Sequence, residues 1–247
     1  MRRFLILLFI AVPLYAGELQ QFGNDVKAMA LAPVHWKKAE WTRFAEGVGA
    51  VAVVFVADHP IDTFVRRHGV AGRLSRIATP FGGQAAVDIS VIMIGSGLAL
   101  HRDNLLGAGR DAFESELWAG LVVTPAIKRI GGRARPFLGQ GAHAFFPEQG
   151  HLNQYSSFPS GHATNAFATA TAISEHYGGI VPYVAYTIAT AVAYSRVNDN
   201  VHWPSDVLAG ALIGRAVAKS VVHYNHKLHA RPVVVKRGAG MLFDYEP

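Results

Sequence analysis

The chain has 247 residues, 51% of them hydrophobic and only 16% charged, with no cysteine and 23 Lys+Arg against 17 Asp+Glu. This length fits one domain or two small ones, and 11% aromatic residues exclude a disordered chain. The missing cysteine excludes a disulfide scaffold, a Cys-ligated zinc site and thiol catalysis. The mild basic excess contains no dense basic tract, so nucleic acid is not an expected partner.

In chain order, residues 1–16 read MRRFLILLFIAVPLYA. Two arginines, an apolar run and a small residue at the cut are the pattern of a secretory signal. Export is therefore expected, into the periplasm if the source is a bacterium. Cleavage would leave 21 basic against 17 acidic residues, a balance suited to an anionic substrate or a membrane surface. Residues 17–35 read as an irregular lead-in, 36–226 as the main domain and 227–247 as a C-terminal tail.

Within the domain, apolar periodicity predicts helices at 36–57, 61–68 and 70–78. Thr79-Pro80-Phe81-Gly82-Gly83 is a break. Helices follow at 84–101 and 108–129. Residues 131–158, with five glycines and two prolines, read as a long loop, a length often tied to function. Helices at 163–176, 180–194 and 204–224 complete the set. The tail around Gly238-Ala239-Gly240 suggests a short β-hairpin over 233–245. The expected fold class is all-α, a compact helical bundle.

A membrane-spanning helix needs ~20 mostly apolar residues. Most uncharged runs here are 11 or 12 residues long, and only 177–195 reaches 19. That stretch contains Gly178, Gly179 and Pro182, so the expectation is a largely non-spanning protein, with membrane association open.

Three segments carry chemistry-bearing residues. The first runs from Lys128 to Arg135-Pro136, the second is Phe158-Pro159-Ser160-Gly161-His162, and the third runs from Ser195-Arg196 through His202 to Asp206. Each has a plain reading alone: a helix-end basic cluster, an N-cap turn, a structural His–Asp pair. Together they say more. Lys128, Arg135 and Arg196 are three cations beside loops, and guanidinium groups grip phosphate oxygens in forked geometry. Ser160, Gly161 and His162 sit where a helix begins, and the N–H groups there attract an anion. Asp206 lies four residues after His202 across a Pro-initiated turn, placed to orient and charge-stabilise the imidazole.

These segments resemble the phosphatidic acid phosphatase type 2 superfamily, which includes bacterial acid phosphatases and vanadium haloperoxidases. Its signature is Lys, six residues, Arg-Pro; Pro-Ser-Gly-His; and Ser-Arg, five residues, His, three residues, Asp. All three parts occur here in order. The resemblance implies that His202 is the nucleophile, that Asp206 orients it and that His162 is the acid and base. It further implies that Lys128, Arg135, Ser160, Gly161 and Arg196 hold the phosphoryl oxygens without a metal or other cofactor, and that vanadate inhibits. The implied activity is hydrolysis of a phosphorylated lipid or small phosphomonoester through a phosphohistidine. The alternative within the family is a haloperoxidase using bound vanadate as cofactor; outside catalysis, it is a bare anion-binding protein.

Other residues stand further from this pattern. Arg129 and Arg133 flank the first segment and are expected to be solvated. His223, His226 and His229 share three-residue spacing near the last helix's end, where a polar helix end is the default and a metal site the sharper reading. Gly210 and Gly214 mark a close helix contact, and Trp203 is expected to pack. Phe145, Phe146, Tyr155 and Phe158 line a substrate entrance or simply pack the loop.

Overall fold

A computed structural model describes residues 34, 36–69, 72–235 and 238–245. The expected signal at 1–16 and, apart from residue 34, the lead-in lie outside the described residues. The chain divides after Thr42, and the unit Arg43–Pro247 holds every candidate site residue.

The helices are α1 (Lys38–Val56), α2 (Asp58–His68), α3 (Arg73–Ala78), α4 (Gln84–Leu100), α5 (Asp103–Glu116), α6 (Thr124–Gly131), α7 (Gly161–His176), α8 (Val181–Asn198) and α9 (Pro204–Lys227). The predicted break at Thr79 is a 3-10 turn, Thr79–Gly82. The helix predicted at 108–129 starts earlier, at Asp103, and is interrupted by a π-helical segment, Leu117–Val123. The tail forms the hairpin of β1 (Leu228–Val235) and β2 (Gly238–Tyr245), antiparallel from Leu228↔Tyr245 to Val235↔Gly238. Its glycines lie inside β2, opposite the Val233–Val235 run, rather than at the turn.

Helix α7 is packed by α5, α8 and α9. The contact between α5, α7 and α9 is made of small residues: Ala112, Ala119, Ala168, Ala172 and Ala218 are all fully buried, with Val222 beside them. Alanine leaves little side chain between the axes, so the backbones approach closely. Gly210 and Gly214 carry this furthest. A Cβ on Gly210 would lie 2.5 Å from the Ser160 carbonyl oxygen, and one on Gly214 would lie 2.1 Å from that of Thr164. The Gly-x-x-x-Gly of α9 is thus the seat of α7, and it fixes Ser160 against the first turn of α9.

One carboxyl sits deep in this packing. Glu116, at the end of α5, accepts hydrogen bonds from Ser90 Oγ (2.9 Å) and Thr169 Oγ1 (2.5 Å). Burial pushes it up to about 7, against the pull of those two hydroxyls. An acid kept neutral costs less to bury than a charge, which explains a carboxyl with no cation partner.

Among the described residues, no single helix is long and apolar enough to cross a membrane. The 177–195 stretch is not one helix, because α8 begins at Val181 after Gly179 turns at φ 64°. Two bent pairs reach spanning length and composition: α1 with α2, bent by 66°, and Arg73–Gly82 with α4, bent by 53°.

Candidate active site

The three motif segments meet at the N-terminal end of α7. Ser160 is the N-cap: its Oγ accepts from the Ala163 N–H, and its own N–H donates to the Asp206 carbonyl at 2.9 Å. The Ser160 hydroxyl is therefore engaged in capping, which gives it a positioning part beside the expected phosphate contact. Ahead of these bonds stand the N–H groups of Gly161 and His162, in the first turn where no helical carbonyl reaches them. A Cβ on Gly161 would meet nothing nearer than 3.8 Å. Glycine is not required there by packing, in keeping with an open approach for an anion.

The cations arrive from three directions. Lys128, on α6, donates to the Ser156 carbonyl. Arg135 donates through Nε to the Asn153 carbonyl (2.8 Å) and through a terminal nitrogen to the Val201 carbonyl (3.2 Å). Arg196, near the end of α8, is held by Asp199 (2.8 Å), Thr79 and Ser195. Burial and the nearby Arg135 pull Lys128 down to about 7. His162 is drawn down to about 4, by burial first and then by Arg196, Arg135 and Lys128. Lys128 reaches the loop just before Ser160, Arg135 the turn just before His202, and the Arg196 carbonyl accepts the His202 N–H, so the three segments are tied at one end of α7.

His202 is buried, with Nδ1 3.6 Å from Asp206 Oδ2. That is ion-pair range but too long for a hydrogen bond. The Asp206 oxygen is instead filled by Ser157 Oγ (2.5 Å) and the Trp203 N–H (2.8 Å). Burial holds the His202 imidazole down at about 3, opposed by Asp206 and reinforced by Lys128 and Arg135. Burial alone would raise the Asp206 carboxyl; His202 and Arg133, with the Ser157 hydroxyl, outweigh it and hold Asp206 below the ordinary carboxylate range. The result is a neutral imidazole backed by an ionised carboxylate, the state a nitrogen nucleophile requires.

Beneath this pair lies a residue the sequence reading misplaced. Arg133 is fully buried, not solvated. Its guanidinium joins Asp206 Oδ1 and Asp58 Oδ2, each at 2.5 Å, and donates to Ser205 Oγ and the Ala142 carbonyl. The rings of Phe55, Phe145 and Trp203 lie 4.8, 5.5 and 5.8 Å from it. A buried charge is tolerable when every donor is matched, and that condition is met here. Asp58, at the start of α2, completes the set by accepting from the Ser205 N–H (2.7 Å) and Oγ (2.6 Å). Nothing near Asp58 in the chain marks it as a site residue. Arg129 is exposed as expected.

The long loop is ordered around this core. Gly132 leaves α6 at φ 60°, where a Cβ would collide with the Phe146 carbonyl at 1.9 Å. Phe145 lies over Arg133 and Phe146 meets Tyr155 edge-on at 5.1 Å. These aromatics pack the loop. Trp203 packs too, its Nε1–H donating to the Ala134 carbonyl at 3.0 Å. On the other side, the 3-10 turn supports His162: a Cβ on Gly82 would sit 2.5 Å from the His162 carbonyl, and one on Gly83 3.4 Å from its Nε2.

Comparison with known proteins gives consistent matches. The model of the PAP2 superfamily matches residues 113–230, which include all three segments. A lipid A 1-phosphatase of Rhizobium etli is 29% identical over 204 residues, covering 74% of this chain and 82% of that protein. A lipid A 1-phosphatase of Porphyromonas gingivalis is 34% identical over 110 residues, 42% of this chain, and the match spans about a quarter (24%) of that protein's length. The crystal structure of Aquifex aeolicus LpxE superposes with a TM-score of 0.53 at 19% identity, covering 68% of this chain and 96% of that one. The likeness to that structure is one of fold.

Proposed function

Since the chain belongs to the PAP2 superfamily, we propose that it is a metal-independent phosphatase acting on lipid phosphates through a phosphohistidine. The observation that carries this reading is the buried His202–Asp206 pair, tied by the Asp206 carbonyl to the Ser160 N–H at the start of α7 and by the Val201 carbonyl to Arg135.

The chemistry follows from the geometry. Nδ1 of His202 faces Asp206, so Nε2 is the atom that attacks phosphorus. The N–P bond forms as the ester P–O bond breaks, and His162 gives its proton to the departing oxygen. The imidazole becomes cationic against the Asp206 carboxylate. Water then attacks phosphorus, His162 takes its proton, the N–P bond breaks and phosphate leaves. Lys128, Arg135, Arg196 and the first-turn N–H groups neutralise the oxygens that gather charge in both steps.

Occupancy also changes protonation. A bound phosphoryl dianion favours the charged forms of Lys128 and His162, which the empty site holds down at about 7 and about 4. Both values rise on binding, so the complex takes up protons. Vanadate should inhibit, and its affinity should weaken as pH rises past about 7, where Lys128 in the empty site loses its proton. Titration calorimetry at pH 7.5 in buffers of different ionisation enthalpy checks this; heats that reveal no proton uptake would contradict the assignment.

A lipid substrate is supported by surface as well as by relatives. Helix α1 buries none of its residues, and Val53 and Val56 are 71% and 76% exposed. Ile92, Leu98 and Leu100 on α4 are likewise exposed. Exposed large apolar side chains on these helices suit a contact with lipid, and we read them as facing a bilayer, on the exported side. The test is phosphate release by the purified chain from long-chain lipid phosphates, short-chain analogues and a water-soluble ester. Lipid phosphates should be preferred; equal turnover of the soluble ester would replace that reading with a non-specific phosphatase.

A further inference from the structure

At the far end of α7, a second group of chemistry-bearing side chains comes together. His176 is the last residue of α7, fourteen residues beyond His162, so it lies about 21 Å along the helix from the catalytic end. Its Nε2 is 2.7 Å from Asp111 Oδ2, on α5. The His226 ring, on α9, stands nearly perpendicular to that of His176 with centroids 5.1 Å apart. One ligand atom from each of the three falls within 4.8 Å of the others.

The hydrogen bonds around the group aim it. Asn104 donates its amide N–H to the His176 carbonyl (3.0 Å), which turns Asn104 Oδ1 toward His176 Nδ1 (3.4 Å). His176 Nε2 itself faces a carboxylate oxygen, Asp111 Oδ2, at 2.7 Å. The same two atoms can share a ring proton or can both turn to a metal ion. Asp111 Oδ1 meanwhile accepts from the Asn225 amide at 2.7 Å, and a carboxylate oriented in this way is a common support for a ligating oxygen.

We infer that Asp111, His176 and His226 form a binding site for a divalent transition-metal ion, zinc by the chemistry of the donors. Two imidazole nitrogens and one carboxylate oxygen suit zinc, which takes nitrogen and oxygen at ~2.0–2.2 Å and accepts water in the fourth position. Tetrahedral ligands at that range are ~3.3 Å apart. Nε2 and Oδ2 would part slightly, and the exposed His226 ring would swing inward. The ion would tie the body of α5 to the C-terminal ends of α7 and α9, away from the phosphate chemistry. Sequence spacing pointed instead to His223, His226 and His229; His226 belongs to the group, joined by residues from two other helices, and the His229 side chain lies outside the described ones.

The test uses the full chain, purified without a polyhistidine tag, stripped with chelator and titrated with zinc alone. One equivalent should bind, and Tm should rise by about 5–10 °C at a hundredfold excess over Kd. Binding and the Tm rise should both be lost in His226→Ala, whose side chain is exposed and whose phosphate release should be unchanged, and in Asp111→Asn. His223→Ala should bind as the parent does. Absence of stoichiometric binding would overturn the site in favour of a plain His176–Asp111 hydrogen bond. So would binding that survives His226→Ala or that disappears in His223→Ala.

Discussion

His202→Ala should lower the rate of phosphate release by at least about 10⁴-fold, the scale on which removal of a nucleophile is felt. It should also abolish the labelled protein trapped by acid quench of a reaction with ³²P-labelled substrate. The reason is specific to this geometry. The imidazole is buried and held neutral, with Asp206 3.6 Å from one nitrogen and Lys128 and Arg135 near enough to oppose its protonation. His162→Ala should also slow turnover, yet still allow a covalent adduct to form from a substrate with a good leaving group, because its proton is needed least there. A His202→Ala protein that still labels would remove the phosphohistidine from the mechanism while leaving the anion site intact.

The second large effect concerns a residue that touches no substrate. Arg133→Met should destabilise the fold by about 3–5 kcal/mol, the usual result of removing one partner from a buried ion pair. Here two carboxylates, Asp58 and Asp206, lose their shared cation at once. Because Asp206 is one of them, kcat should fall while KM changes little. Adding Asp58→Asn to Arg133→Met should restore part of the stability by deleting one stranded charge, without restoring kcat. Urea unfolding of the two single variants and the double variant measures the coupling. Simple additivity would mean that Arg133 and Asp58 do not work as a pair.

These two residues also show where sequence reading succeeds and stops. His202 and Asp206 are four apart across a turn that Pro204 starts, so local geometry alone brings them within reach. Ser160 and Gly161 announce a helix start by residue type. The three cations belong together because each stands in a spaced motif. Arg133 sits between two motif residues, but its only local signal was charge, and charge usually means solvent. Its burial depends on Asp58 and Ser205, 75 and 72 positions away. Asp58 reads as an ordinary acidic residue in a first helical turn. The Asp111–His176 contact spans 65 positions. Periodicity found the helices, yet it carries no record of which distant side chains a bundle will bring face to face. The hairpin was legible from its β-formers, while its first strand begins earlier than expected, at Leu228.

The π-helical segment Leu117–Val123 separates two parts of one continuous stretch of helix. Asp111 lies before it, at the His176 end, and Lys128 lies after it, at the phosphate end. An α-helix turns about 100° per residue, and a π segment holds an extra residue without carrying that rotation forward. Deleting one residue there, Val122 for instance, would let the segment rewind as plain α-helix. The result would be a plain helix with Lys128 still facing the anion, whereas a one-residue deletion in the α-helical stretch on either side would turn Lys128 by about 100°. Phase along the helix axis is therefore a heritable property of this enzyme, set by a length of chain rather than by the identity of any catalytic side chain.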